Sequence, residues 1–217
     1  ANNFGGTPGS ISLDSDTVVI TEADGKLFSR TIFPKKCAVV KIGGPDAEGK
    51  TNTKGSYESF VNGTNYKTDT QRSKSYTFKP LQGAWRIEVA PLTAQKEDLF
   101  LHVLYPCDKT VASMPQTSPV ESTGATMAGA YIAALADVPS WIVMFSKDTN
   151  DVGEVTYQVQ AEGKARQLLC DMKKNTTYEI WHNGKLLAAK KSSDQGTLFF
   201  EGELEGSNVF RVQCVQP

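Results

Sequence analysis

The feature that most constrains this chain is a succession of short β-branched and aromatic runs, each ended by Gly, Pro or Asn. Residues 17–21 read TVVIT, 27–33 LFSRTIF and 37–42 CAVVKI, with Asp24, Gly25, Pro34, Gly43, Gly44 and Pro45 punctuating them. Such runs bounded by turn formers are strand signals. In residues 84–90 (AWRIEVA), Trp85, Ile87 and Val89 fall on one face and Arg86 and Glu88 on the other, the period of a half-buried strand. Residues 99–105 (LFLHVLY) are apolar on both faces apart from His102, which predicts a central strand covered on both sides. Pro91 and Pro106 are expected to close these two strands, because proline cannot donate to a ladder.

Further strands are expected over 129–135, 141–146, 154–160, 165–172, 177–182, 185–190, 196–203 and 210–215. The sharpest local signal is Asn183-Gly184 between TYEIWH and KLLAAK. Asn-Gly populates the positive φ values of a type I′ turn, whose twist matches the strands it joins. No segment carries a long helical period with caps. The expected fold is all-β: an antiparallel β-sandwich, either one large sandwich or two small packed ones. The division is expected between residues 1–118 and 119–217. Residues 108–126 read as a Ser/Thr/Pro-rich connection, and 46–79 as a long polar stretch of functional or mobile loop.

Composition sets the remaining bounds. The 217 residues are 39% hydrophobic and 22% charged, with net charge −1, an ordinary globular balance. Nucleic acid is not an expected partner, since phosphate binding needs a basic stripe. No apolar run approaches the roughly 20 residues of a helical membrane span. Residues 1–6 (ANNFGG) lack a basic start followed by an apolar run and read as a processed or trimmed end. The four cysteines, Cys37, Cys107, Cys170 and Cys214, lack zinc-site spacing. They allow three disulfide connectivities. The preferred one, Cys37 with Cys107 and Cys170 with Cys214, keeps each bridge within one half of the chain; free buried thiols are the alternative.

The candidate site residues follow from chemistry. His102 is the sharpest catalytic candidate, because imidazole titrates near neutrality, yet its apolar neighbours make it read as a hydrogen-bonded core histidine. His182, just before the Asn183 turn, is expected to be exposed and merely solvated. Trp85 and Trp141 sit in apolar runs and read as core. Trp181 shares parity with Glu179, opposite Tyr178 and Ile180, which allows its ring an outward position and makes it a secondary ligand-contact candidate. Sugar rings stack their apolar faces on such aromatics. Tyr57, Tyr66 and Tyr76, interleaved with Lys67, Arg72 and Lys74, form a second candidate surface, in which stacking and carboxylate pairing suit an acidic polysaccharide. The plainer reading of that stretch is a solvated loop. Asp46, Glu48, Asp148, Asp151 and Glu154 do not make the dense loop of an EF-hand, and no cofactor or metal is expected. There is no nucleophile elbow and no phosphate-binding glycine loop.

The order and spacing of several runs carry a resemblance. Residues 27–34, 39–44, 61–66 (VNGTNY), 83–91 (GAWRIEVAP) and 98–104 (DLFLHVL), followed by VMFS, LLCDM, TTYEIW and GTLFF, resemble the C-terminal β-sandwich region of heparinase II/III-type polysaccharide lyases. The resemblance implies a secreted or periplasmic protein of a polysaccharide-degrading system. Those lyases act by β-elimination: a base removes the proton beside a uronate carboxylate, and neighbouring groups stabilise the charge. They also carry a helical toroid, and none fits within 217 strand-rich residues. The expected function is therefore a non-catalytic, polysaccharide-binding or lyase-supporting module, with a catalytic domain outside this chain as its partner. A toroid-free lyase and a structural or adhesive sandwich without a sugar ligand are the alternatives.

Overall fold

The computed structural model describes residues 10–22, 24–43, 60–61, 64–65, 85–136, 138–148 and 150–215. Among them all regular structure is strand, apart from a 3₁₀ turn over Thr123–Ala125. The chain divides into two compact units, residues 1–114 and 115–217. The sequence reading placed the division four residues later, within the same Ser/Thr/Pro-rich run.

The first unit contains β1 (Ser10–Asp14), β2 (Thr17–Glu22), β3 (Gly25–Phe33), β4 (Cys37–Gly43), β5 (Phe60–Val61), β6 (Thr64–Asn65), β7 (Trp85–Pro91) and β8 (Leu101–Asp108). Strands β1, β2, β3 and β8 form an antiparallel sheet in that order, and β4–β7 and β5–β6 form two further ladders. Val18, Phe28, Ile32 and Phe33 are buried in this unit, and Phe28 stacks on Tyr105 at 6.3 Å. Strand β8 departs from the expected central strand. Among the described residues it pairs with β3 alone, and its burial alternates, leaving His102, Leu104 and Pro106 exposed. Pro106 lies inside the strand rather than ending it, which an edge strand tolerates because a missing N–H on the unpaired side costs nothing.

The second unit contains β9 (Thr117–Glu121), β10 (Met127–Ile132), β11 (Ser140–Ser146), β12 (Glu154–Leu169), β13 (Thr177–His182), β14 (Lys185–Lys191) and β15 (Leu198–Cys214). They form one sheet in the order β14-β13-β15-β12-β11-β10-β9. Strands β12 and β15 pair in register from Glu154–Gln213 to Leu169–Leu198. A straight strand would hold Tyr157 and Gln167 about 33 Å apart at its usual rise. Instead the Tyr157 hydroxyl donates to Gln167 Oε1, and the Phe200 and Phe210 rings meet at 6.0 Å. The hairpin therefore folds back across the core. The bend falls at Gly163 and Gly206, whose φ values of 81° and 68° are accessible to glycine at little cost.

Each half of the folded hairpin supplies strands to its own layer. The carboxyl half of β12 returns beside β11 as the sheet's one parallel pair, and Ser122 bridges back to Tyr157 in the amino half. Odd-numbered residues of β12 and even-numbered residues of β15 face inward throughout. They pack a core of Val155, Tyr157, Leu169, Leu198, Phe200, Phe210 and Val212 with Met127, Ile142, Met144, Tyr178 and Ile180.

The Asn-Gly signal is realised as expected. Asn183 and Gly184 have φ of 48° and 78° and join β13 to β14 through His182–Lys185. The Asn183 side chain also accepts from Val209 N–H at 2.8 Å, which ties the turn to β15. Residues 108–126 are not wholly a connection, because β9 runs through them and pairs with β10.

Tyr178 anchors the loop strands of this unit. Its hydroxyl donates to the Val152 carbonyl at 2.6 Å and accepts from Lys173 N–H at 2.9 Å, and the residue is fully buried. Losing that hydroxyl leaves Val152 O and Lys173 N–H with only their own long bond to each other, 3.4 Å, at about 1–2 kcal/mol. Tyr178→Phe is expected to lower the urea midpoint accordingly with an unchanged m-value. An unchanged midpoint would show that water serves those groups equally well.

All four cysteines are free and partly buried, so the expected pairs Cys37–Cys107 and Cys170–Cys214 are not formed. For the second pair the reason is visible. Residues 152 and 153 run between the two cysteine segments, with Val152 N–H bonded to Asp171 O and Cys214 N–H to Gly153 O, both at 2.8 Å. Two strand spacings are about 10 Å, beyond the roughly 7 Å Cα separation a disulfide spans. Burial, with a smaller push from Asp16 and Asp171 respectively, raises the Cys37 and Cys170 thiols above their ordinary range, which makes them poor nucleophiles.

Candidate functional site

Trp181 is brought to the surface by strand parity. Tyr178 and Ile180 are fully buried, so Glu179 and Trp181 lie on the opposite, outer face, both partly exposed. In register, Trp181 faces Arg211 of β15 on one side and Leu186 of β14 on the other. A bulge between Ile180 and Trp181 inserts Leu187 as an extra residue on β14, and bulges of this kind re-aim the side chains beside them.

Around the indole the face is rich in hydrogen-bonding groups held in place by one another. Arg211 Nε donates to Glu154 Oε1 at 2.9 Å, and its terminal nitrogen donates to Gln213 at 2.7 Å. Gln158 donates to Ser207 at 2.8 Å. On the bordering β14, exposed Lys191 pairs with Thr177 on the same face as Trp181, whereas Lys185 and Lys190 pair with His182 and Tyr178 on the other. An aromatic platform beside oriented donors and cations can stack a sugar ring and pair its carboxylate.

The two histidines have structural partners. His102 is exposed rather than a core residue, and its Nδ1 lies 3.2 Å from Thr31 Oγ1. His182 is partly buried rather than freely solvated: its ring stacks on Phe210 at 4.5 Å with planes 6° apart. Its Nε2 lies 3.0 Å from Asn208 Oδ1. Asn208 directs its amide nitrogen at three carbonyls, so its oxygen is the acceptor, and His182 carries its proton on Nε2.

A surface that the sequence reading missed lies on β9, β10, β11, β12 and β15. Trp141 is not core. Its neighbours Ser140, Ile142 and Met144 are buried, which turns Trp141, Val143 and Phe145 outward. The Trp141 ring meets Phe199 at 6.1 Å, and the Arg166 guanidinium sits 5.6 Å from its centroid. Arg166 and Lys164 share Glu201, at 3.1 and 2.8 Å. Hydrogen bonds from Lys164 and then Arg166 hold the Glu201 carboxyl below the ordinary carboxylate range. The signal was present in the WIVMF run, but an apolar run cannot by itself say which parity faces the core.

Tyr57, Tyr66, Tyr76, Lys67, Arg72 and Lys74 lie outside the described residues. Among the described residues no group of three or more His, Cys, Asp or Glu side chains is placed to hold a metal, and no helix is long and apolar enough to cross a membrane. Compared with known proteins, the chain matches no protein-family model and no curated protein.

Proposed function

We propose that this chain is a non-catalytic module of a secreted or periplasmic polysaccharide-degrading system. It binds an acidic polysaccharide and supports a catalytic domain outside the chain. The observation that carries this reading is the outward Trp181, set in register with Arg211 of β15 and Leu186 of β14. The resemblance of the sequence to the terminal sandwich of heparinase II/III-type lyases points the same way. The binding role is favoured over elimination chemistry because both histidines are engaged by structural partners, Thr31 and Asn208.

The test is affinity electrophoresis in gels containing heparin, alginate or pectate. Retardation is expected on at least one of them and should weaken as salt rises, because exposed charges are screened beyond about 10 Å at 0.1 M. Trp181→Ala removes one stacking ring worth about 1 kcal/mol, so the dissociation constant should rise about fivefold while the melting curve stays in place. No retardation on any acidic polymer, or release of unsaturated uronate products by the chain itself, would reject the proposal.

A further inference from the structure

We infer that the second unit carries a separate platform for a neutral glycan on the outer face of β9, β10, β11, β12 and β15. This rests on the reading of the chain as a glycan-binding module, and it concerns a face distinct from that of Trp181. Register places Pro119, Ala130, Val143, Leu168 and Phe199 side by side, one from each strand. At the usual strand spacing this apolar row is about 19 Å long. Trp141 lies one row to one side of it and Phe145 one row to the other. Phe199 and Phe145 remain 47% and 41% exposed, which is unusual for rings that the core could have taken.

Size and charge decide the occupant. From Trp141 to Phe145 the patch is about 14 Å wide, so its area is roughly 300 Å². A stable protein dimer needs about 800 Å² from each partner. The patch is too small for that, and it suits a ligand a few sugar rings long. Two exposed rings, with the partly exposed Val143 and Leu168 in the row between them and Ala130 buried, offer stacking at two positions along such a chain. The border carries more carboxylates than cations: Glu162, Glu203 and Glu205 lie outward near the bend, whereas Arg166 and Lys164 are already engaged by Glu201. A uronate polymer would be repelled there. Neutral hydroxyls both donate and accept, and a paired Arg–Glu–Lys network offers both. The face therefore selects neutral, unbranched glycan whose rings present an apolar side.

The experiment compares the chain with Phe145→Ala/Phe199→Ala and with Trp181→Ala in gels containing a soluble neutral β-glucan, xylan or mannan, alongside the acidic polymers. Both phenylalanines are exposed, so the double variant should keep its far-ultraviolet circular dichroism and melting curve. Retardation by a neutral polymer is expected, insensitive to salt, weakened at least tenfold in the double variant and unchanged in Trp181→Ala. Absence of neutral binding, or neutral binding untouched in the folded double variant, overturns the inference. So does concentration-dependent dimerisation that the double variant abolishes. If neutral binding is absent while Trp181-dependent binding to an acidic polymer persists, only this inference falls; if both are absent, the proposed function falls with it.

Discussion

Gly129→Ala is expected to abolish or severely weaken the folding of the second unit, although it adds a single methyl group. Gly129 lies on β10 opposite Met144 of β11. A Cβ built there lands on the Val143 carbonyl oxygen, 2.7 Å from Met144 Cα and 2.8 Å from the Val143 carbonyl carbon. All three are backbone atoms of the neighbouring strand, so no rotamer change relieves the overlap. The strand itself would have to move. Met144, Ile142 and Met127 around it are fully buried, and a core at crystal-like density has no room to take up such a shift. Overpacking a core by a methylene costs about 1–3 kcal/mol when side chains can adjust. With the backbone of β11 as the obstacle the loss should be about 4 kcal/mol or more, at the extreme of single substitutions. Urea unfolding followed by near-ultraviolet circular dichroism measures it. A midpoint within experimental error of the parent would show that β10 sits farther from β11 than described.

What the sequence made legible was local. Turn chemistry is a property of adjacent residues, so Asn183-Gly184 announced its hairpin. Runs of β-branched and aromatic residues bounded by turn formers, and the alternation of β7, are likewise properties of five or six residues, so β2, β3, β4, β7, β11, β13 and β14 were found. The misreadings share one cause: they depend on what packs against a strand. The runs on either side of Gly163 read as two strands, as did those on either side of Gly206, because a glycine among polar residues looks like a turn. In fact each pair is one continuous strand that bends between layers. Only contacts between residues ten apart, such as Tyr157 with Gln167, reveal that. Strand β9 was hidden because TSPVE contributes only Val120 to the core cluster and contains a proline. Apolar runs with no alternation misled in one direction: His102 was read as a core histidine and Trp141 as core, and the structure leaves the first exposed and the second partly exposed.

The bend itself supplies the other large effect: Asn208→Ala should destabilise the second unit by about 3 kcal/mol. Asn208 is fully buried and sits two residues beyond Gly206. Its amide nitrogen reaches the carbonyls of Val159 at 3.3 Å and Ala161 at 3.0 Å on β12, and that of Gly206 at 2.8 Å. Its oxygen accepts from Glu205 N–H at 2.8 Å and from His182 Nε2 at 3.0 Å. One side chain thus satisfies backbone groups on both strands at the glycine bend, and it holds the imidazole that stacks on Phe210. Alanine removes all of these bonds and leaves buried donors and acceptors, each costing about 1–3 kcal/mol when no water reaches it. Four of the five bonds are only part-buried, so water replaces some of them and the expected loss stays near about 3 kcal/mol rather than the full sum. Asn208→Asp is the sharper comparison. A carboxylate keeps the acceptor for Glu205 and His182 but sets negative oxygen against three carbonyls, so it should be at least as damaging as alanine at neutral pH. If both variants melt with the parent, Asn208 is not what holds the bend, and the positive φ of Gly163 and Gly206 must suffice to set it.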